Sequence, residues 1–166
     1  MPTLHAALTD PAAAGLYRLS GRISVATVRR DAASAARHFA PLDGTAIAGK
    51  ADFLRACAEA LRFPPYVGRN WDALEEALRD LAWLDRPHPP HHPQTRGYVV
   101  LLDPAADFIR HAPADWATAR AIFASAVAHW RATPTPLTIL FRRADGCAGD
   151  LPLITERGRR SSERIP

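Results

Sequence analysis

The length, composition and charge of this chain exclude several classes of protein. Its 166 residues suffice for one domain with a real core, and although 48% of them are hydrophobic, no apolar run is long enough to cross a bilayer. A formal net charge of +4 would suit a nucleic-acid-binding protein, but residues 1–35 and 142–166 contribute +2 each, so the middle of the chain is neutral.

The N-terminal segment and the cysteines bear on whether the protein is secreted or stays in the cell. The segment MPTLHAALTDP has neither a basic start nor a long apolar stretch, so no secretory signal is expected. Cys57 falls on a predicted core stripe and Cys147 in a predicted tail, and two such cysteines do not make a disulfide framework. These features predict a protein of the reducing cytoplasm.

The first part of the chain predicts a strand, a helix and a second strand. Residues 1–14 are alanine-rich with a proline and are interpreted as a loose arm. Leu16–Leu19 suits a short strand, and residues 24–37 have a helical composition with weak apolar periodicity. Phe39–Leu42 is a second short strand, in which Pro41 favours an edge position or a bulge because proline cannot donate to a neighbouring strand.

The stretch FPPYVGRNWDALEEALRDLAW, residues 63–83, is the most informative part of the chain. It follows a helix that regularly spaced apolar residues predict over Lys50–Arg62, and it begins with a rigid loop containing two prolines. Asn70 then suits the N-cap of a second helix, because its side-chain oxygen can accept a free backbone N–H group. The apolar side of this helix consists of Trp71, Leu74, Ala77, Leu78 and Leu81, and its outer side of Asp72, Glu75, Glu76 and Arg79.

A proline-rich connection, DRPHPPHHPQTRG, follows this helix and cannot form regular structure. His88, His91 and His92 lie in it, which raises the question of a metal site. Metal sites need ligands that a second shell of contacts holds in place, and no cysteine or carboxylate cluster with ligand spacing lies nearby. The connection is therefore interpreted as a spacer, and no metal or other cofactor is predicted.

The rest of the chain predicts two strands separated by helices, and then a tail. Gly97–Leu102 is an unbroken apolar run, typical of a strand covered on both faces. A short helical turn over residues 107–110 and a longer helix over residues 113–131 precede the last strand, Leu137–Phe141. Residues 143–166 are rich in glycine, arginine and serine and are interpreted as a flexible basic tail. Because helices alternate with strands, we expect an α/β fold with a small parallel sheet packed with helices.

The acidic residues of the second predicted helix form a local patch that the net charge hides. Residues 72–85 have a net charge of −4, because one base, Arg79, is outnumbered by five acids: Asp72, Glu75, Glu76, Asp80 and Asp85. Acids in the first turns stabilise a helix through its dipole, and an acidic outer face is commonly only solvated, so the patch alone does not identify a binding site. Carboxylates on a rigid helix also suit a basic partner, since charge-assisted pairs with arginine are strong and geometrically selective.

Residues 63–83 also carry a family resemblance. The order FPxYxGxNWDALxxxLxDL is similar to the central segment of the barstar family, whose members are intracellular protein inhibitors of barnase-type ribonucleases. The motif is specific, because a helix needs no such order merely to fold, and a weaker similarity extends from about Ala36 to Arg142. The resemblance implies a barstar-like domain over residues 36–142 with three parallel core strands, to which Leu16–Leu19 adds a fourth by its own pattern. Residues 1–35 are then an N-terminal extension.

The resemblance implies which residues face a nuclease. Mapped onto the family motif, the partner-binding segment consists of Tyr66, Gly68, Asn70, Trp71, Asp72, Glu75 and Glu76. Glu76 takes the position of the family's principal interface aspartate, and Glu75 takes that of a residue that is aromatic in the founding member. Both replacements keep or raise the negative charge but move its position, so the target nuclease stays open. The implied function is that of a cytoplasmic inhibitor, without enzymatic activity, which binds a basic ribonuclease one-to-one and blocks its active site.

The residues leave several alternatives open. Trp71 lies at the edge of the apolar stripe and suits packing, whereas Tyr66 follows two prolines and suits contact with a partner. The chain could instead bind nucleic acid through basic ends that include Arg157, Arg159, Arg160 and Arg164, or serve as a barstar-like module for a non-ribonuclease partner. An enzyme is not predicted, because no nucleophile, acid–base pair or phosphate-binding loop has the required spacing.

Overall fold

The structure, a computed structural model, describes residues 2–85 and 95–156. Its strands are β1 (Leu16–Leu19), β2 (His38–Asp43), β3 (Tyr98–Asp103), β4 (Leu137–Arg142) and β5 (Leu153–Ile154). They form one sheet in the order β2–β3–β4–β1–β5, and every neighbouring pair is parallel. The predicted α/β class with a parallel sheet is confirmed, with five strands where the sequence predicted three or four.

Helices cover both faces of this sheet. They are α1 (Leu4–Thr9), α2 (Val25–Ser34), α3 (Lys50–Ala60), α4 (Trp71–Asp80), α5 (Ala106–His111) and α6 (Pro113–Arg131). Helices α3 to α6 bury one apolar core against one face, and α1 and α2 bury a second core against the opposite face. The chain therefore forms three layers, with the sheet in the middle.

The first core holds α4 in place. Phe53 of α3 stacks on Phe108 at 5.2 Å between ring centroids, and both rings are fully buried. Leu74 and Leu78 of α4 enter this core with 1% and 0% of their surface exposed. The Trp130 indole N–H of α6 donates to the Leu78 carbonyl at 2.6 Å, so α4 is attached to α6 by packing and by a hydrogen bond.

The second core is built largely from the N-terminal residues. Leu8 of α1 and Val28 of α2 are 1% and 0% exposed, and they pack with Leu101 and Leu140 of the sheet. The expectation of a loose arm over residues 1–14 is wrong, because an apolar sheet face has to be covered and α1 covers part of it. The short sequence LHAALT gives little periodicity, so its apolar side is recognisable only against the sheet.

Part of the segment that the sequence predicts to be a flexible tail packs against the sheet. Ile154 of β5 is fully buried, and Leu151 just before it is 8% exposed. The Arg18 side chain donates to the Leu151 carbonyl at 2.9 Å, which fastens this segment to β1. The prediction of a flexible segment is therefore corrected for residues 143–156, and residues 157–166 lie outside the described residues.

Pro41 lies on an outer strand of the sheet, as its residue type predicts. The His38 N–H of β2 donates to the Gly97 carbonyl at 2.8 Å, and alternate residues of a strand direct their backbone groups to opposite sides. Pro41 is three positions further along, so its backbone faces away from β3, towards the free edge of the sheet. Because proline has no N–H group, the row of backbone donors along this free edge is interrupted there. Such an edge is a poor template for pairing with another chain.

Candidate partner-binding site

The loop before α4 is held firmly at its base. Helix α3 ends where Arg62 adopts a left-handed backbone (φ 51°) and the Phe63 N–H bonds back to the Ala58 carbonyl at 2.9 Å. Phe63 then packs edge-on against Trp83, with 5.7 Å between ring centroids. The Trp83 indole N–H donates to the Leu61 carbonyl at 2.8 Å, so contacts from beyond α4 fix the start of the loop.

The tip of this loop is exposed. The Val67 N–H donates to the Pro64 carbonyl at 3.0 Å and closes a turn that carries Tyr66. Tyr66 is 79% exposed, and within residues 2–85 and 95–156 it is the large hydrophobic side chain left in solvent. Large aromatic rings on rigid loops are good contact residues, because they offer much surface for little loss of conformational entropy.

Asn70 and Gly68 shape the junction between loop and helix. The Asn70 side-chain oxygen accepts the Ala73 N–H at 2.8 Å, which confirms the predicted N-cap. A Cβ atom on Gly68 would lie 3.1 Å from the Asn70 side-chain nitrogen, so a larger residue would push against the cap. Both residues therefore determine the local backbone, whether or not they also touch a partner.

Asp72 and Glu76 project from the outer side of α4. They are four residues apart and lie opposite the buried Leu74 and Leu78, so both carboxylates point into solvent. Neither carboxylate is hydrogen-bonded or ion-paired to another residue of the described ranges, and both side chains are exposed. We call these two residues the outer carboxylates.

Glu75 behaves differently from the outer carboxylates. Its Oε1 atom accepts a hydrogen bond from the Arg79 guanidinium at 3.0 Å and another from the Ser125 hydroxyl of α6 at 3.2 Å. The same guanidinium nitrogen donates to the Ser125 hydroxyl at 2.7 Å. Glu75 is therefore turned sideways towards α6 and engaged within the chain, although the motif places it among the partner-facing residues.

Trp71 is part of the packing. Its ring is half-buried and lies 5.9 Å from that of Phe53, inclined by 44°. The Lys50 ammonium group lies 5.6 Å from the centre of the Trp71 ring, within the range of a cation–π contact. This geometry fits the interpretation that Trp71 mainly packs α4 against α3.

The carboxyl ends of the strands do not offer an open crevice between β1 and β4. Ligands of parallel α/β sheets commonly bind where the strand order reverses, and here that point is occupied by Arg142. Its guanidinium donates to the Ile23 carbonyl at 2.7 Å, the Gly21 carbonyl at 2.8 Å and the Asp103 carboxylate at 3.1 Å. Arg142 and Asp103 are 14% and 12% exposed, so a protein side chain fills the position usual for a ligand.

Two concave parts of the surface lie near the loop and α3. An apolar cavity of about 120 Å³ lies beneath the loop, between Leu54 of α3 and Leu74 of α4. A second, more open groove of about 320 Å³ runs between β2 and α3. Small-molecule sites commonly measure about 300–1,000 Å³, so the cavity under the loop is below that range. The loop and the outer side of α4 therefore present an exposed surface, which suits a protein partner.

The remaining sequence features concern metal ligands, membrane-spanning helices, the two cysteines and residues outside the described ranges. No group of three metal-ligating side chains occurs within residues 2–85 and 95–156, and no helix there is long and apolar enough to span a membrane. Cys57 and Cys147 are free thiols, and burial raises the pKa of the Cys57 thiol. The described residues do not include His88, His91, His92, Arg157, Arg159, Arg160 and Arg164.

The fold and this surface define an α/β protein that presents an exposed loop and an acidic helix side. Comparison with known protein families matches residues 37–142 to the family described as Barstar (barnase inhibitor). The match covers more than half of the chain and includes the whole of the loop and α4, so the chain belongs to the barstar family. A search of the curated proteins found no match.

Sequence reasoning missed two polar residues that shape the candidate site and the carboxyl end of the sheet. Ser125 lies in the middle of α6 and no local pattern marks it, because its partners are on another helix. The sequence marks Arg142 only weakly. It is a charged residue at the carboxyl end of an apolar strand, where ligands of parallel sheets commonly bind. Both assignments require the packed helices and sheet.

Proposed function

We propose that this protein is a cytoplasmic inhibitor of a barnase-type ribonuclease, binding it one-to-one and blocking the basic active site. The exposed loop and the outer side of α4 would enter the nuclease cleft. One observation carries this proposal: Asp72 and Glu76 project side by side into solvent without partners in the described ranges, next to the exposed Tyr66. Membership of a family described as barnase inhibitor supports the same conclusion.

The physical basis is substitution of carboxylates for phosphates. A ribonuclease binds the RNA backbone with cationic side chains, and two carboxylates on a rigid helix can pair with those cations. The helix is already fixed by its N-cap and by its contacts with α6, so few side chains have to be ordered on binding. Opposite charges on the two surfaces also raise the encounter rate.

The candidate residues divide into two groups by role in this proposal. Asp72, Glu76 and Tyr66 are exposed and supply direct contacts. Gly68 and Asn70 give the loop its shape, while Trp71 supports α4 from the core side. In this proposal residues 36–142 carry the binding surface and residues 1–35 complete the fold beneath it.

The proposal is tested by titration. Increasing amounts of the purified protein are added to each of a panel of barnase-type ribonucleases, including those of the same organism, and RNA cleavage is followed. We expect the activity of the cognate enzyme to disappear at one equivalent, and the purified protein alone to cleave no RNA. Full nuclease activity at a large excess of protein against every member of the panel would contradict the proposal.

A nucleic-acid-binding function is the second candidate, and one observation favours it. Residues 2–85 and 95–156 contain equal numbers of acidic and basic side chains, so the formal charge of +4 comes from Arg86 and residues 157–166. Deletion of residues 157–166 leaves β5 intact and removes most of this excess. If RNA retention falls steeply with salt and is lost on deletion, this second function gains support.

A further inference from the structure

We propose that Glu75, Arg79 and Ser125 form a positioning network that orients the outer carboxylates, and that Glu75 does not contact the partner itself. The inference rests on the proposed function, because it concerns how α4 is presented to the nuclease. It separates Asp72 and Glu76, which bind, from Glu75, which holds the helix. It also adds Arg79 and Ser125, neither of which the family motif marks, to the residues on which binding depends.

The network is closed within the chain. The Arg79 guanidinium donates to Glu75 at 3.0 Å and to Ser125 at 2.7 Å, and the Ser125 hydroxyl donates to Glu75 at 3.2 Å. The serine hydroxyl thus accepts one hydrogen bond and donates another, while Glu75 accepts two through the same oxygen. An exposed pair along one helix contributes little to stability, but Ser125 belongs to α6 and turns this pair into a connection between two helices.

The connection acts on the orientation of α4 about its own axis. Glu75 lies on the side of the helix between the buried Leu78 and the outer carboxylates, so holding it against α6 determines where Asp72 and Glu76 point. The Trp130–Leu78 hydrogen bond fixes the same two helices through a backbone carbonyl. Two connections at different points along α4 resist rotation better than either one alone.

The network also sets the charge that the partner meets. Arg79 compensates Glu75 at 3.0 Å, so the uncompensated charge of α4 comes from Asp72 and Glu76 and, at the end of the helix, from Asp80. A partner that fits this surface offers two cationic groups spaced for carboxylates one helical turn apart. It needs no third cation opposite Glu75.

Substitution at Glu75 distinguishes positioning from contact. Glutamine keeps a carbonyl oxygen that can accept from both Arg79 and Ser125, whereas alanine keeps neither bond. We expect Glu75→Gln to hold the Kd for the ribonuclease within about twofold of the wild type, and Glu75→Ala to raise it about tenfold. Ser125→Ala should raise the Kd in the same direction, and the double variant should be little worse than Glu75→Ala because the residues act as a unit.

Two controls accompany these variants. Glu59→Gln removes one exposed charge from α3 and reports the effect of net charge alone on association. Urea unfolding of each variant gives the folded fraction, so that Kd is compared for folded protein only; a role in stability alone would leave this Kd unchanged. We also expect the Glu75→Ala effect to become smaller in a Glu76→Ala background, since only one of the two outer carboxylates is then left to orient.

The outcomes separate this inference from the proposed function. If the wild type inhibits the nuclease but Glu75→Gln loses as much affinity as Glu75→Ala, the charge of Glu75 is a direct contact and the inference is wrong. If Glu75→Ala and Ser125→Ala both bind like the wild type, the network does not position the helix. A wild type that inhibits no barnase-type ribonuclease refutes the proposed function, and the inference with it.

Discussion

The two faces of the sheet are covered in different ways. On the face that carries the candidate site, large rings pack together, as in the stacked pair Phe53 and Phe108. On the other face the buried side chains are mostly aliphatic, such as Val28, and the Thr138 hydroxyl donates to the Ala7 carbonyl at 2.9 Å, which joins α1 to the sheet itself. The family match begins at residue 37, so it supplies helices for the first face, while residues 1–35 cover the second. The comparison teaches that one layer covers the sheet and carries the candidate site, whereas the other layer covers the sheet without contributing to that site.

Removal of residues 1–35 should have the largest effect. This deletion takes away α1, α2 and β1, and it exposes the buried Val99, Leu101 and Leu140 on the bare face. We expect the remaining chain to lose cooperative unfolding and to associate, because a large apolar surface is returned to water. Circular dichroism during thermal unfolding and size-exclusion chromatography measure this. A truncated chain that unfolds cooperatively at the wild-type temperature would show that the second layer is dispensable.

Leu78→Ala should weaken the fold without changing the binding surface. The side chain is fully buried between α4 and the first core, so its truncation leaves a cavity and costs about 2–5 kcal/mol of unfolding free energy. Leu8→Ala is the matched change in the second core, where the side chain is 1% exposed. Urea unfolding beside titration with the nuclease should show two destabilised proteins whose folded fractions both bind normally. If the folded Leu8→Ala variant bound the nuclease more weakly than the wild type, the second layer would also influence binding.

Glu76→Ala should do the opposite of Leu78→Ala. If Glu76 pairs with a cation in the nuclease cleft, its truncation costs about 2–5 kcal/mol of binding free energy, a range known from complexes that include barnase with its inhibitor. The unfolding free energy should change by only about 0.5 kcal/mol, because the side chain is exposed. Glu59→Ala, on another helix, is the control for loss of one exposed acid. Wild-type inhibition by both Glu76→Ala and Asp72→Ala would remove the outer carboxylates from the site.

Asp150→Asn should have the smallest effect, and one that depends on pH. The Arg120 guanidinium of α6 hydrogen-bonds to the Asp150 carboxylate, one bond measuring 3.0 Å, and lowers the pKa of that carboxyl. A lowered folded-state pKa means that the pair stabilises the protein fully above the unfolded value, about 3.9 for aspartate, and that this stability is lost as the pH falls through the folded value. Unfolding measured from neutral to acidic pH should therefore show a small wild-type advantage that disappears in acid. An advantage that persists at the lowest pH would assign the stabilisation to a cause other than the ion pair.

Local chemistry predicted α4 and its N-cap more closely than the contacts of the side chains on this helix. Asn70 predicted the start of α4. The helical spacing of Leu74 and Leu78, with acids between them, predicted which side of the helix is buried. Helix α3 ends at Ala60, two residues before the predicted end, because the left-handed Arg62 terminates it. The spacing of Glu75 could not reveal its orientation, since its partner Ser125 is fifty positions away and contacts it only after α4 and α6 pack.

The sequence by itself determined the α/β class, most of the helices and strands, and the family to which residues 37–142 belong. Apolar periodicity, helix caps and turn residues are local, and they act before any long-range contact forms. Only the tertiary structure decided that Leu4–Thr9 forms part of a second core, that Leu153–Ile154 joins the sheet, and that Glu75 is turned towards α6. Short segments with few apolar residues have no stable structure of their own, so their conformation comes from the surface on which they pack.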